Sequence, residues 1–144
     1  MASHLFNEWK QQLLRDYLAS SDDIRLIGVM SNTTADTDND DIVYVGDIGT
    51  LDEFNGANYS RPALASEVVN EDDTGDEAEF DAADVTLTAL GAGTRSLAGW
   101  VMYRHVTNDA DSPVIGYLEY ATPKTPDGSD FVVQWNAEGL IKAG

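Results

Sequence analysis

The chain has 144 residues, enough for one compact domain and too few for two, and its 42% hydrophobic content can form a packed core. Eight Lys plus Arg against 26 Asp plus Glu give a net charge of −18, which argues against nucleic acid and anionic membranes as partners. The chain has no cysteine, which excludes disulfides, thiol nucleophiles and cysteine-ligated metals.

The first residues show no basic region followed by an apolar stretch and a cleavage site, so we expect the chain to fold in the cytoplasm. Elsewhere no apolar run approaches the roughly 20 residues that span a bilayer, which predicts a soluble protein.

Residues 4–19 have the apolar spacing of an amphipathic helix. The apolar side comprises Leu5, Phe6, Trp9, Leu13, Leu14, Tyr17 and Leu18. The polar side comprises Asn7, Lys10, Gln11 and Arg15. We therefore assign residues 1–20 to an N-terminal amphipathic α-helix and residues 21–144 to a β-sandwich domain.

The same helix supplies the candidate partner-contact residues, which are Leu5, Phe6, Trp9 and Leu13. Large aromatic side chains dominate the energetics of protein interfaces, so an apolar helix face beside a complete β domain is suited to docking on another chain. The alternative is that this face packs on the β domain as ordinary core.

From residue 24 onward the hydrophobic period changes from 3.6 to 2, which indicates strands. Strands are predicted at Ile24–Met30, 61–69, 77–80, 85–89, 97–106, 114–120 and 131–135, with a short one near 42–45. The middle of 97–106 is apolar on both faces, as in a central strand. The sequence predicts no helix after any strand, except that the last residues would allow one. The pattern predicts a mainly β fold, an antiparallel β-sandwich of seven to eight strands.

Two acidic segments are candidate metal sites. Residues 36–40 place aspartates at every second position, but Asp41 stands where a calcium loop of the EF-hand type needs glycine, and Asp47 where it needs glutamate. Residues 71–77 are similarly acidic. We predict solvated loops and no metal, with a bound cation as the alternative. The acidity fits a saline habitat as well as an ordinary acidic protein.

No set of residues in the sequence predicts catalysis or a cofactor. His4 and His105 are isolated, and no nucleophile-elbow, zinc-protease or phosphate-loop motif occurs. Aspartates are so abundant that any carboxylate pair chosen as a glycosidase dyad is uninformative. We therefore predict that the protein is not an enzyme.

Three regions resemble small virion structural proteins of tailed phages and related tailed viruses. They are FNGANYSRPAL at 54–64, EFDAADVTLTAL at 79–90, and SPVIGYLEY at 112–120 continued by DGSDFVVQWNA at 127–137. With the leading helix the resemblance covers most of the chain, although its motifs are strands and turns. Asp127-Gly-Ser-Asp replaces the double glycine usual in that family, which leaves only the turn type in doubt.

The resemblance implies a virion location after synthesis in the host cytoplasm. It implies a capsid decoration, or cement, protein that binds the outer shell, with a neck or tail protein as the alternative. The implied partners are the major capsid protein or other virion proteins, and the implied state is a homo-oligomer such as a trimer.

Two other classes of protein remain open. A small hydrolase is one, and a carbohydrate-binding β-sandwich is the other. The aromatic residues that such a module would stack on sugars are Trp100, Tyr103, Tyr117 and Tyr120. Sugar binding requires them to be exposed on one concave face, whereas the strand pattern predicts that most of them are buried.

Overall fold

The structure is a computed structural model, which describes residues 6, 10, 11, 14–16, 18, 23–37, 42–135 and 139–143. As predicted, the protein is mainly β, with eight strands in antiparallel sheets. The strands are β1 (Ile24–Met30), β2 (Val68–Asp72), β3 (Glu77–Asp81), β4 (Val85–Leu87), β5 (Leu97–Arg104), β6 (Val114–Lys124), β7 (Phe131–Val133) and β8 (Ile141–Ala143).

The chain divides into two compact units. The first comprises Met1–Asp22, Leu64–Asp84 and Val133–Gly144, and the second comprises Asp23–Ala63 and Val85–Val132. The assignment of residues 1–20 to a separate helix and 21–144 to one domain stays a prediction.

The first unit contains a three-stranded sheet in the order β2-β3-β8. Ala78 and Phe80 of β3 are fully buried, as the alternation of the strand requires. The last residues, where the sequence would allow a helix, form β8 instead, with Ile141 opposite Phe80. β3 thereby gains a second neighbour and becomes the central strand.

The N-terminal helix is short, and its described helical residues are Lys10, Gln11 and 14–16. The assignment of Lys10 and Gln11 to a solvent-facing polar side is wrong, because both are buried. Lys10 Nζ donates to the Asp76 carbonyl at 2.5 Å and lies 3.7 Å from Asp76 Oδ1. A lysine can bury its aliphatic stem when its ammonium reaches such partners.

The second unit contains a three-stranded sheet in the order β1-β5-β6, and it also holds β4 and the first two residues of β7, which form a two-stranded pair. β5 is central and almost wholly buried, as its apolar run predicts. One face of the sheet, with Ile27, Val101 and Tyr103, packs against Val45 and Ile48. Together with Ala35, Ile42 and Leu51, these two residues cover this face.

The strand bounds differ from the predicted ones in several places, and two of the differences have a clear local cause. Residues 42–45 form no strand, since Tyr44 makes only an isolated bridge and Val45–Asp47 is a 3-10 turn. Asp47 Oδ2 accepts the N–H groups of Val43 and Tyr44 at 3.1 and 2.8 Å and so takes the donors that a strand would use. β2 begins at Val68 and not at residue 61, because Ser66 has a φ of 58° and interrupts the extended chain.

Candidate partner-binding surface

Along part of its length, the outer edge of β6 has no neighbouring strand among the described residues. Backbone groups of a strand alternate between its two sides, so one anchored residue fixes the direction of the others. The Arg104 N–H donates to the Pro113 carbonyl at 3.0 Å, so even-numbered residues of β5 face β6 and odd-numbered ones face β1. Tyr117 and Glu119 lie opposite positions 101 and 99, so their N–H and C=O groups point away from β5.

β1 gives the same alternation independently. The Leu26 N–H donates to the Pro62 carbonyl at 2.9 Å, away from β5, and Leu26 lies opposite Met102. Met102 must therefore face β6. Residues 52–62 cover the outer edge of β1. On the β6 edge, the described part of the chain forms one such backbone bond, from the Val114 N–H to the Val43 carbonyl. Within the described ranges, no residue bonds the outward backbone groups of Tyr117 and Glu119.

A groove of about 220 Å³ runs beside this edge. It is lined by Ala35, Ile42, Ile48, Val101, Val114, Ile115, Gly116 and Tyr117. Burial, together with the nearby carboxylates of Glu119 and Asp36, raises the pKa of Tyr117 to about 12. The groove therefore has apolar walls with negative charge beside its tyrosine.

Exposed apolar side chains lie next to the groove. Val43 is 56% exposed, Val106 is 53% exposed, and Tyr44 is also exposed. All three adjoin the start of β6, since Tyr44 bridges Pro113 and the Val106 N–H donates to Ser112 Oγ. We call these three residues the apolar patch. Exposed aromatic and aliphatic side chains on adjoining segments are typical of interaction sites.

An ion network holds the loop that carries Val106 of this patch. Arg61 donates to both Glu53 oxygens at 2.8 Å, and to the two Asp109 oxygens at 2.6 and 3.0 Å. The Arg61 guanidinium also lies 5.6 Å from the centre of the Tyr103 ring. The Tyr59 hydroxyl donates to Glu53 at 3.1 Å. The fork of one guanidinium thus ties residues 53 and 109 together.

The pKa shifts within this network are typical of groups that stabilise the fold. Hydrogen bonds from Arg61 hold the pKa of Asp109 below its usual value, and those to Glu53 and Asp109 raise the pKa of Arg61. Burial raises the pKa of Tyr59, and the Glu53 carboxylate adds to the effect. Asp109, Arg61 and Tyr59 are thus held in their ordinary protonation states at neutral pH, which suits cohesion better than proton transfer.

In the first unit, three carboxylates lie close together on β2 and β3. One oxygen from each of Asp72, Glu77 and Glu79 lies within 4.8 Å of the others. Lys142 of β8 approaches the same group, with its Nζ 2.7 Å from Glu77 and 3.9 Å from Glu79. The ammonium of the chain itself therefore offsets part of this negative charge.

Of the predicted partner-contact residues, the structure describes Phe6, which is 85% exposed. Leu5, Trp9 and Leu13 lie outside the described residues, as does His4. Their role stays a prediction. The His105 ring packs edge-on against the Tyr103 ring, with 6.2 Å between the ring centroids. The backbone N–H of His105 donates to the Asp23 carbonyl.

Sequence reasoning missed the open edge, the apolar patch and the Arg61 network. The sequence does contain one signal for the network, since Arg61 is one of only five arginines in a strongly acidic chain. It contains no signal for the open edge, because a strand pattern does not state how many neighbours a strand has.

Comparison with known proteins adds no relative: no protein-family model matches the chain, and no curated protein or solved structure matches it. Among the described helical residues, no helix is long and apolar enough to cross a membrane.

Proposed function

We propose that the chain is a structural protein of a virion, which binds the outside of the capsid shell as a decoration protein and does not act as an enzyme. The virion setting rests on the resemblance of residues 54–64, 79–90 and 112–137. The observation that carries a binding role is the apolar patch of Val43, Tyr44 and Val106 beside the groove and the open edge of β6. We propose a symmetric homo-oligomer, such as a trimer, as the attached form.

The titratable groups support a binding role over catalysis. Arg61, Glu53 and Asp109 bind one another, and Arg25 forms a two-bond pair with Asp23 at 2.5 and 2.8 Å. General acid–base catalysis needs a group that is free to exchange a proton with a substrate.

Sugar binding is disfavoured by the burial of two of its four candidate aromatics. Trp100 and Tyr103 are each 1% exposed, so neither ring face is available for stacking on a sugar. Tyr117 and Tyr120 are half-buried.

We further propose that the sheets of the second unit stack as an antiparallel sandwich. The Trp100 ring of β5 lies 6.4 Å from that of Phe131 in β7, and Tyr120 of β6 lies 6.5 Å from Phe131. Ring contacts of this kind are expected between two packed sheets.

The test uses particles of the virus that encodes the chain, prepared without it and then mixed with purified protein. We expect binding at many regular sites on the shell by particle imaging, and greater heat resistance of the particles. Binding at the neck or tail alone would replace the decoration role with the alternative location. Failure to bind any part of the particle would overturn the proposal.

A matched pair of variants tests the patch. Val106→Asp places a charge in the patch, and Val132→Asp places the same charge at a residue of nearly equal exposure, 52%, on β7. We expect Val106→Asp to weaken particle binding at least tenfold and Val132→Asp to leave it nearly unchanged. Equal binding by the two variants would show that the patch is not the contact.

A further inference from the structure

We propose that the open edge of β6 at Tyr117 and Glu119 receives an extended, basic segment of the partner as an added strand. This inference rests on the proposed binding function and specifies how the partner is held. An added strand gains its affinity from backbone hydrogen bonds and its specificity from side chains at alternate positions.

The backbone supplies the first part of the argument. Tyr117 and Glu119 direct two N–H and two C=O groups outward, two residues apart, which is the spacing at which an antiparallel or parallel neighbour pairs. An unpaired strand edge is a template for pairing with another chain, and proteins usually protect it with prolines, charges or bulges.

Proline and lysine, two of these protections, lie farther along the strand. Pro123 and Lys124 lie at the end of β6, and the register with β5 shifts on both sides of the proposed contact, between positions 119 and 124 and at Ile115. From Gly116 to Glu119 the strand carries one charge, no proline and no register shift. This regular stretch is the one that adjoins the groove.

The side chains that line the groove and the negative charges beside it indicate which side chains the added segment carries. A strand laid beside Tyr117 directs every second side chain toward the groove, whose roughly 220 Å³ and walls of valine and isoleucine suit an aliphatic side chain. Glu119 and Asp36 lie near the Tyr117 hydroxyl, and the whole chain carries a charge of −18. Lysine or arginine at the remaining positions would complement this charge, whereas the same edge of a second copy would bring its own Glu119 and Asp36 against it.

Hydrogen exchange of the whole protein provides the direct test. In the free protein we expect the Tyr117 and Glu119 amides to exchange at least tenfold faster than that of Leu118, which faces β5. On the particle we expect both to slow at least tenfold. Slow exchange already in the free protein would mean that the chain covers its own edge, and particle binding without slowing would mean that the partner binds elsewhere. Either result would overturn strand addition.

A proline variant isolates the backbone contribution. Glu119→Pro removes an outward N–H and leaves the ladder with β5, since proline is tolerated on an edge strand whose N–H faces solvent. Glu119→Ala removes the same side chain and keeps the N–H. We expect the proline variant to bind particles at least tenfold more weakly than the alanine variant, with equal melting temperatures. Equal particle binding by the two variants overturns strand addition while leaving the decoration role intact.

A synthetic probe makes the inference testable even if the protein binds no particle. An acetylated Lys-Val-Lys-Val-Lys-Val peptide should shift the Tyr117 and Glu119 amide signals, and the Glu-Val counterpart should not. Methylation of alternate backbone nitrogens removes the N–H groups along one edge of the Lys-Val peptide. The methylated peptide should lose binding when that edge is the one that pairs with β6. Loss of the Tyr117 amide shift when the Lys-Val peptide is added to the Glu119→Pro variant supports the inference. Equal shifts with both charge types, or self-association of the protein through the same amides, would overturn the basic occupant.

Discussion

Arg61 illustrates how one side chain can organise a loop-rich surface. Its guanidinium is shared between Glu53 and Asp109, which lie 8 and 48 residues away in the sequence. Because the Gly46 N–H also donates to the Asp109 carbonyl at 2.9 Å, the same loop is tied to the 3-10 turn. The arginine therefore fixes the position of the loop that leads to the apolar patch.

We expect Arg61→Lys to lower the free energy of unfolding by about 1 to 3 kcal/mol, since lysine cannot bind two carboxylates through a planar fork. Arg95→Lys is the control, because Arg95 pairs with one carboxylate, Asp52, at a more exposed position. Denaturant unfolding should show a much smaller loss for the control. Equal losses would mean that the double pairing of Arg61 has no special effect.

The stabilising effect of this pairing should depend on pH. The pKa of Asp109 is lowered in the folded state by Arg61, so its contribution is complete above the unfolded value of about 3.9 and is lost as pH falls toward the folded pKa. The difference in melting temperature between wild type and Arg61→Lys should therefore be constant from pH 7 to 5 and shrink below pH 4. The comparison cancels the general effect of protonating other carboxylates. A difference that persists unchanged to pH 3 would contradict the assignment.

The same residues show what the sequence can and cannot predict. The apolar run Trp100–Tyr103 predicts a central strand because burial on both faces is a local pattern. The partners of Arg61 are not predictable, since 18 aspartates and eight glutamates compete for it and only long-range pairing selects two of them. The strand predicted at 42–45 does not form because the Asp47 carboxylate accepts hydrogen bonds from nearby N–H groups. A hydropathy pattern contains no information about such side-chain hydrogen bonds.

At the scale of the strand, the pairing of β5 with β6 depends on a glycine. A Cβ placed on Gly99 would lie 2.4 Å from the Leu118 carbonyl oxygen and 2.9 Å from the Tyr117 ring. Gly116, on the neighbouring strand, has no atom within 4 Å of such a Cβ. A side chain at Gly99 would therefore collide with β6, opposite Glu119 of the open edge.

Gly99→Ala should consequently destabilise the second unit by about 1 to 3 kcal/mol, the usual cost of forcing an extra carbon into a packed site. Gly116→Ala is the matched control and should change stability by less than about 1 kcal/mol in either direction. Thermal unfolding measures both changes. The account of the β5–β6 contact would be wrong if the two variants melted at the same temperature.

The N-terminal helix offers a second comparison at this scale. Phe6 is 85% exposed, whereas Leu18 is 3% exposed. Phe6→Ala should leave the melting temperature nearly unchanged and, if the helix docks on a partner, weaken attachment by up to about 30-fold, which corresponds to roughly 2 kcal/mol. Leu18→Ala should instead lower stability by about 2 to 5 kcal/mol. Full attachment of Phe6→Ala would remove this residue from the predicted contact set.

At the scale of the whole molecule, negative charge dominates. Like charges in a compact chain repel one another, and part of this repulsion is relieved on unfolding because the charges move apart. A net charge of −18 on 144 residues should therefore lower stability at low ionic strength. Internal pairs such as Arg61 with Glu53 and Asp109 act in the opposite direction, but the chain has only eight Lys plus Arg to form them.

Stability should consequently rise with sodium chloride, and most of the rise should occur at low concentration. The Debye length falls from about 30 Å at 0.01 M to about 8 Å at 0.15 M and only to about 3 Å at 1 M, so screening of distant charges is nearly complete early. Melting temperatures measured across this range test the shape of the curve. A steady linear rise to 1 M would indicate a general solvent effect, since that does not saturate with screening. If calcium at matched ionic strength gave a larger gain than sodium, specific binding to clustered carboxylates such as Asp72, Glu77 and Glu79 would explain the excess better than screening.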